Sequence, residues 1–213
     1  MSAATACLLL TLFGVAGLLL AEARGSRGSV WLAKPLASAG FVGLALAGGA
    51  AGTSYGRAVL VALGLSLAGD VLLIPQRPAV FRAGILAFLL GHLAFAGAFV
   101  VRGLQPLATL GTAAASVVPA TLLLRWLAPR LPREFRLPVF AYVGVISLML
   151  AAAAGSVAAA GDPRILAAAL GFYLSDLSVA RDRFVAPGFA NRLWGLPLYY
   201  AAQVLFALSA SAP

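Results

Sequence analysis

The sequence predicts an all-α, polytopic bundle of about eight membrane-spanning helices, and three observations predict it. Of 213 residues, 62% are hydrophobic and only 10% are charged, against about a quarter charged in an ordinary soluble domain. Apolar stretches of roughly 17 to 22 residues, the length that crosses a bilayer, recur from one end to the other. The breaks between them are short and are charged, Gly-rich or Pro-punctuated. No stretch reads as a soluble domain or long linker, so residues 1–213 are expected to form one transmembrane domain.

The elements follow in order. Spans at about 4–21 and 30–48 are parted by "EARGSRGS" (22–29), and the span at 57–75 follows "GGAAGTS" (48–54). "PQRP" (75–78) precedes 82–101, and "APRLPREFRLP" (128–138) divides 105–125 from 138–159. "GDP" (161–163) opens 163–180, and 193–211 closes the set. A lone apolar helix cannot satisfy polar side chains in lipid, so these helices must pack around the polar residues they bury. A faint echo runs through the chain: "SLAGDVLL" on helix three and "YLSDLSVA" on helix seven share a pattern, and Pro35 and Pro138 sit near the starts of helices two and six. A four-plus-four parallel repeat would produce it.

A net charge of +9 could point to nucleic acid. In a membrane chain, basic residues instead gather in cytoplasmic loops, so no nucleic-acid partner is expected. Connections 1–2, 3–4, 5–6 and 7–8 hold eleven arginines, and the alternate connections hold only Arg57, Arg102 and Arg164. That bias places both termini outside and the basic loops in the cytoplasm, in what is expected to be a bacterial inner membrane. Ala21-Glu22-Ala23 resembles a signal-peptide cleavage site, but no Lys or Arg precedes it and several follow, the reverse of a signal peptide. Cys7 is the single cysteine, which rules out an intramolecular disulfide and a thiolate metal cluster.

Ionisable residues inside the spans carry the functional signal. Asp70 lies five residues before Pro75 and Asp176 five before Arg181, so both sit roughly 7–8 Å inside the cytoplasmic ends of their helices. Lys34, about four residues into helix two from the same side, reaches a similar depth of about 6 Å. A central Asp costs about 2.5–3.5 kcal/mol to insert, so something must hold or use these groups. Ser66 shares a face with Asp70, Ser38 with Lys34, and Tyr173 with Asp176. Tyr199 and Gln203 stand at i, i+4 on helix eight, and Phe81, Ile85, Phe88, His92, Phe95 and Phe99 form a stripe on helix four. Simpler readings stand beside these: Lys34 snorkelling, His92 and the Phe stripe as packing, the Tyr pair as an interfacial belt, and a structural Asp–Lys ion pair.

Two carboxylates and a lysine in a partly desolvated pocket suit acid–base chemistry, one carboxyl kept protonated and the other ionised. No serine-nucleophile motif, HExxH or His/Cys cluster with metal spacing is present, so acid–base chemistry on a lipid-derived substrate suits the residues better than serine or zinc hydrolysis. "DLSVAR" (176–181) approaches the CDP-alcohol phosphotransferase motif, but Leu177 replaces its Gly and the later Asp pair is missing, which excludes it.

"AKPLASAG" (33–40), "LAGDVLLIPQRPAVFRAGILAFLLGHLAFAGAF" (67–99), "GFYLSDLSVARDRF" (171–184) and "LYYAAQVLF" (198–206), in that order, resemble the YhhN-like membrane proteins, which include the lysoplasmalogenases. The resemblance covers nearly the whole chain. Phe95 departs from it, standing where a hydroxylated aromatic is common, and the third loop is Pro-rich. The resemblance implies hydrolysis of the vinyl ether of a lysoplasmalogen to a fatty aldehyde and a glycerophospho-base, with Asp70 and Asp176 catalytic and dividing the acid and base roles. Lys34, with Arg181 or Arg192 at the rim, would receive the phosphate. Ser66, His92, Tyr173, Ser175, Tyr199, Tyr200 and Gln203 would line the pocket. The implied reaction requires no metal or organic cofactor; the implied partners are a lysophospholipid substrate and the surrounding membrane lipids, and a homo-oligomer stays open. The runner-up is a small lipid or proton-coupled transporter using the paired Asp residues as a relay. It is disfavoured because "RAVLVALG" and "RILAAALG", the outer halves of helices three and seven, hold no ionisable group beyond their terminal Arg. An inert scaffold would tolerate Asp70→Asn.

Overall fold

The structure, a computed structural model, describes residues 1–75 and 77–211. Gln76, within the expected 75–78 break, and Ala212 and Pro213, the last residues of the expected domain, lie outside the described residues. Among the described residues there are eight α-helices and no strand: α1 Ala3–Ala23, α2 Arg27–Ala47, α3 Ser54–Leu72, α4 Pro78–Arg102, α5 Pro106–Leu127, α6 Arg133–Ala160, α7 Pro163–Phe184 and α8 Phe189–Ser209.

Local chemistry sets the helix ends. Ser2, Thr53, Gln105 and Asp162 accept backbone N–H bonds at the starts of α1, α3, α5 and α7. Proline occupies the first helical position of α4, α5 and α7, where its missing N–H costs nothing. Gly25 and Gly161, at φ +65° and +75°, turn the chain out of α1 and α6 in the left-handed region open to glycine. Several ends differ from expectation, α4 and α8 each starting four residues early, and two of the differences have a clear physical cause. α6 starts at Arg133, a turn and a half before Pro138, which is accommodated inside the helix. α7 runs through the charged "ARDRF" to Phe184 and stops before Pro187-Gly188. Hydropathy ends a span at the first charges, whereas helix geometry persists until a residue breaks it.

Helices α1 to α6 are long and apolar enough to cross a membrane. α7 and α8 match them in length but not in hydropathy, because Asp, Arg, Asn, Tyr and Gln interrupt them. The chain is a membrane protein whose most polar helices are those that build its interior.

Six helices pack in a closed ring: α2, α3, α4, α6, α7 and α8, each against the next, with α8 returning to α2. α1 lies outside against α2 and α8, and α5 lies outside against α6. Accordingly α5 buries only Ser116 and Leu127, while Leu110, Val117, Val118 and Leu122 remain exposed and suited to lipid. Advancing each helix number by four maps the ring onto itself and α1 onto α5, as a four-plus-four parallel repeat would. α3 and α7, bearing the two intramembrane aspartates, are corresponding members. At the α1–α2 crossing the backbones meet at Gly40, where a Cβ would lie 2.8 Å from Thr11 N and 2.9 Å from Cys7 O. Close approach through small residues is how membrane helices gain packing without a hydrophobic driving force.

The end opposite the arginine-rich connections is clasped shut. Asp162 Oδ1 accepts from Arg164 Nε at 2.9 Å and Oδ2 from Nη2 at 3.0 Å, and Arg102 Nη2 lies 3.6 Å from Oδ2. The Arg102 guanidinium sits 4.8 Å from the centre of the Tyr55 ring, and the Tyr55 hydroxyl meets Ser209 Oγ at 2.8 Å. Helices α3, α4, α7 and α8 are thereby tied together. Burial works to raise the Asp162 carboxyl, but hydrogen bonds and charge from Arg164, with the charge of Arg102, outweigh it and hold the carboxyl below its usual range. A carboxyl depressed on folding contributes stability above its unfolded pKa of about 3.9, lost as pH falls through the lower folded value. Thermal unfolding in detergent is expected to show Asp162→Asn less stable than wild type near pH 7, with the gap closing towards about pH 3. A gap independent of pH would deny Asp162 this electrostatic role.

Candidate active site

Asp70 and Asp176 face one cavity of about 440 Å³ that lies at the arginine-rich end of the bundle. Its wall on one side is apolar, built by Phe81 and Ile85 of α4, Leu123 and Leu127 of α5, and Val139, Val143 and Ile146 of α6. Its mouth is charged, with Glu22, Arg27, Asp182, Arg183 and Arg192. An amphipathic cavity of this kind suits a ligand with one long apolar arm and one charged head.

The two carboxylates have opposite surroundings. Asp70, only 2% exposed, has Lys34 Nζ 3.2 Å from Oδ1. Its Oδ2 accepts from Ser38 Oγ at 2.7 Å and from Tyr199 OH at 2.6 Å. Behind these, Tyr200 OH lies 3.1 Å from Ser38 Oγ and 3.3 Å from the Lys34 carbonyl. A cation and two hydroxyl donors all favour an ionised Asp70.

Among the described residues Asp176 has no lysine or arginine within ion-pair distance, only a histidine. Its Oδ2 accepts from Tyr142 OH at 2.8 Å and lies 3.4 Å from His92 Nε2. His92 Nδ1 is 2.7 Å from the Phe88 carbonyl oxygen, which can only accept, so Nδ1 carries a hydrogen. In the neutral ring Nε2 therefore presents a lone pair to Asp176. At 3.4 Å Nε2 makes no hydrogen bond, and a proton carried by Asp176 is one that this lone pair can accept. The Phe172 ring centre lies 4.3 Å from that of His92, tilted against it, and 5.3 Å from that of Tyr199, edge to face, placing an aromatic partition between the two carboxylate sites.

The remaining candidates fall in four places. Lys34, Tyr173, Ser175, Tyr199 and Arg192 line the cavity with the two aspartates. His92 and Tyr200 stand one layer behind, supporting Asp176 and Asp70. Ser66 donates to the Ala62 carbonyl within its own helix, and Gln203 lies deeper in α8, buried with neither side-chain polar atom hydrogen-bonded. At the rim Arg181 bonds Asn191, and Arg192 is held by Glu22 and Asp182. Arg27 and Arg183 also face the mouth, and neither has a carboxylate partner among the described residues. The Arg183 guanidinium lies 4.3 Å from the Phe81 ring centre.

Tyr142 is absent from the expected set. In sequence it is one aromatic in an apolar run, yet it stands four residues after Pro138, much as Ser38 stands three after Pro35. Taken seriously, the four-plus-four echo pointed to it. Each Asp takes one partner from the second helix of its own half, Ser38 and Tyr142. Each takes another from the fourth helix of the other half, Tyr199 for Asp70 and His92 for Asp176. Among the described residues no three His, Cys, Asp or Glu side chains group as metal ligands.

Bovine lysoplasmalogenase TMEM86A is 39% identical over 158 residues, covering 71% of this chain and 64% of that protein. Its human counterpart is 37% identical over the same lengths, and rat lysoplasmalogenase TMEM86B is 36% identical over 161 residues, 76% of this chain and 64% of that protein. The chain thus spans 64% of the length of these relatives. No solved structure matches it. The model of the YhhN family matches residues 29–210, nearly all of the helical ring and both carboxylate sites, and the chain belongs to that family.

Proposed function

We propose that the protein hydrolyses the vinyl ether of a lysoplasmalogen, with Asp176 as general acid and Asp70 as the carboxylate that activates water. The observation that carries this reading is the contrast between the two sites: Asp70 against Lys34 and two hydroxyl donors, Asp176 against a histidine lone pair. Environments that set two carboxyls apart are how one site holds an acid and a base together.

Protonated Asp176 delivers its proton to the alkene carbon remote from the ether oxygen, leaving an oxocarbenium ion beside two carboxylates that stabilise it. Asp70 takes a proton from water as the water oxygen bonds to the cationic carbon, giving a hemiacetal. The hemiacetal hydroxyl then loses its proton, the bond from that carbon to the glycerol oxygen breaks, and the oxygen takes up a proton. Aldehyde and glycerophospho-base result, one water is consumed, and the proton gained by Asp70 replaces the one spent by Asp176. The apolar α4–α5–α6 wall takes the alkenyl chain. Arg27 and Arg183, unpaired at the mouth, are better placed for the phosphate than Arg181 and Arg192, which are engaged with Asn191, Glu22 and Asp182.

Eleven arginines at the mouth's end against three at the other support an orientation with the mouth in the cytoplasmic leaflet. The Arg102–Asp162–Arg164 clasp at the far end supports a one-sided pocket over a transport path. The test is aldehyde release from lysoplasmalogen by the purified protein in detergent, with ethanolamine and choline head groups. Release is expected from at least one. None from well-folded protein would overturn the hydrolase reading.

A further inference from the structure

Of fifteen basic residues in the chain, fourteen are arginine, and the single lysine is Lys34. It is neither in a loop nor at the rim. Its Nζ lies in the reaction cavity, 12% exposed and 3.2 Å from Asp70 Oδ1. As a partner for a buried carboxylate, arginine would serve at least as well, with a fixed charge and a two-pronged donor set. An amine differs in one respect that matters here: it can give up its proton and become a nucleophile, which guanidinium does not do. Asp70, in contact with Nζ, is placed to take that proton.

The proposed reaction generates an electrophile at this spot. The carbon that becomes the aldehyde is the one receiving oxygen from the water activated by Asp70, and Asp70 touches Lys34. We infer that Lys34 captures a long-chain aldehyde in this cavity as a reversible Schiff base. Lys34 passes a proton to Asp70, and its free amine bonds to the carbonyl carbon, giving a carbinolamine. The protonated Asp70 returns its proton to the carbinolamine hydroxyl, the C–O bond breaks, and water leaves. The product is a protonated imine paired with the Asp70 carboxylate, so the ion pair of the resting site is regenerated with carbon on nitrogen. No oxidant or other reactant is needed. The alkyl chain lies on the apolar wall that held it in the substrate. Such a linkage holds a reactive product and slows the next turnover until water hydrolyses it. This inference rests on the hydrolase reading for the origin of the aldehyde, but not for the reactivity of Lys34.

The experiment supplies the aldehyde directly. Purified protein in detergent is incubated with hexadecanal and cyanoborohydride, which reduces the imine to a stable secondary amine, and is then mapped by mass spectrometry. A parallel arm replaces hexadecanal with lysoplasmalogen. The chain has one other amine, at exposed Met1, which serves as the internal reference. Lys34 is expected to gain one alkyl group about tenfold faster than the α-amine, with butanal losing that preference and Lys34→Arg losing the Lys34 label. Labelling of Lys34 no faster than of Met1 would overturn the inference, whatever the lysoplasmalogen arm releases. Labelling by hexadecanal with no aldehyde released from lysoplasmalogen would instead uphold Lys34 and remove the hydrolase.

Discussion

Asp176→Asn is expected to lower aldehyde release by roughly a hundred- to ten-thousandfold while leaving the fold intact. The loss follows from the first chemical step, which places a proton on carbon. An amide has no proton acidic enough to give, and a carbon site, unlike an oxygen site, cannot borrow one through a fast hydrogen-bonded exchange. Stability is expected to hold because asparagine can satisfy both partners of Asp176. Both contacts fall on Oδ2, and an amide nitrogen in that place carries two hydrogens, one for the Tyr142 hydroxyl oxygen to accept and one for the His92 Nε2 lone pair. The variant therefore separates proton donation from hydrogen bonding. Rates at saturating substrate and thermal unfolding in the same detergent decide it. A variant that folds and retains more than about a tenth of the wild-type rate would show that the proton comes from another group.

The same residues show what a single chain makes legible. The eight helices, and the depth shared by Lys34, Asp70 and Asp176, can be read from hydropathy and from the cost of an ion in lipid, since both are local properties of a span. The partners of each carboxylate cannot. Tyr199 reaches Asp70 from 129 residues away, and His92 and Tyr142 converge on Asp176 from two other helices. Only the closed ring brings them together. A tyrosine in an apolar run carries no mark of whether its hydroxyl will meet a carboxylate, which is why Tyr142 escaped notice and Tyr199, next to a second tyrosine, did not. The rim fails for a related reason. Arg181 and Arg192 look free as positions at helix ends, and Asn191 of α8, Glu22 of α1 and Asp182 of α7 claim them in space. The roles of the two aspartates were undecided because the sequence gives both the same depth. What sets their surroundings apart is tertiary: Lys34 and two hydroxyl donors against Asp70, and against Asp176 a ring nitrogen facing it because the Phe88 carbonyl holds the hydrogen on the opposite side.

The second large effect falls on stability. Lys34→Met is expected to destabilise the protein by roughly 3–5 kcal/mol, the cost of leaving one member of a buried ion pair without its partner. Methionine keeps the volume and the apolar stem of lysine but removes the charge 3.2 Å from Asp70 Oδ1. Ser38 and Tyr199 still donate to Oδ2, but two neutral hydroxyls do not offset a full charge in a site only 2% exposed. Combining Lys34→Met with Asp70→Asn removes the orphaned charge while Ser38 and Tyr199 keep an oxygen to donate to. The double variant is then expected to recover most of the loss, so that it is destabilised by much less than the sum of the two single variants. Thermal or denaturant unfolding of the four proteins measures it. If Lys34→Met is as stable as wild type, or the double variant is no better than the single, Lys34 and Asp70 do not stabilise one another. Strong coupling together with an inactive Asp70→Asn would mean that the carboxylate sacrificed for chemistry is held in place by the only amine side chain the protein possesses.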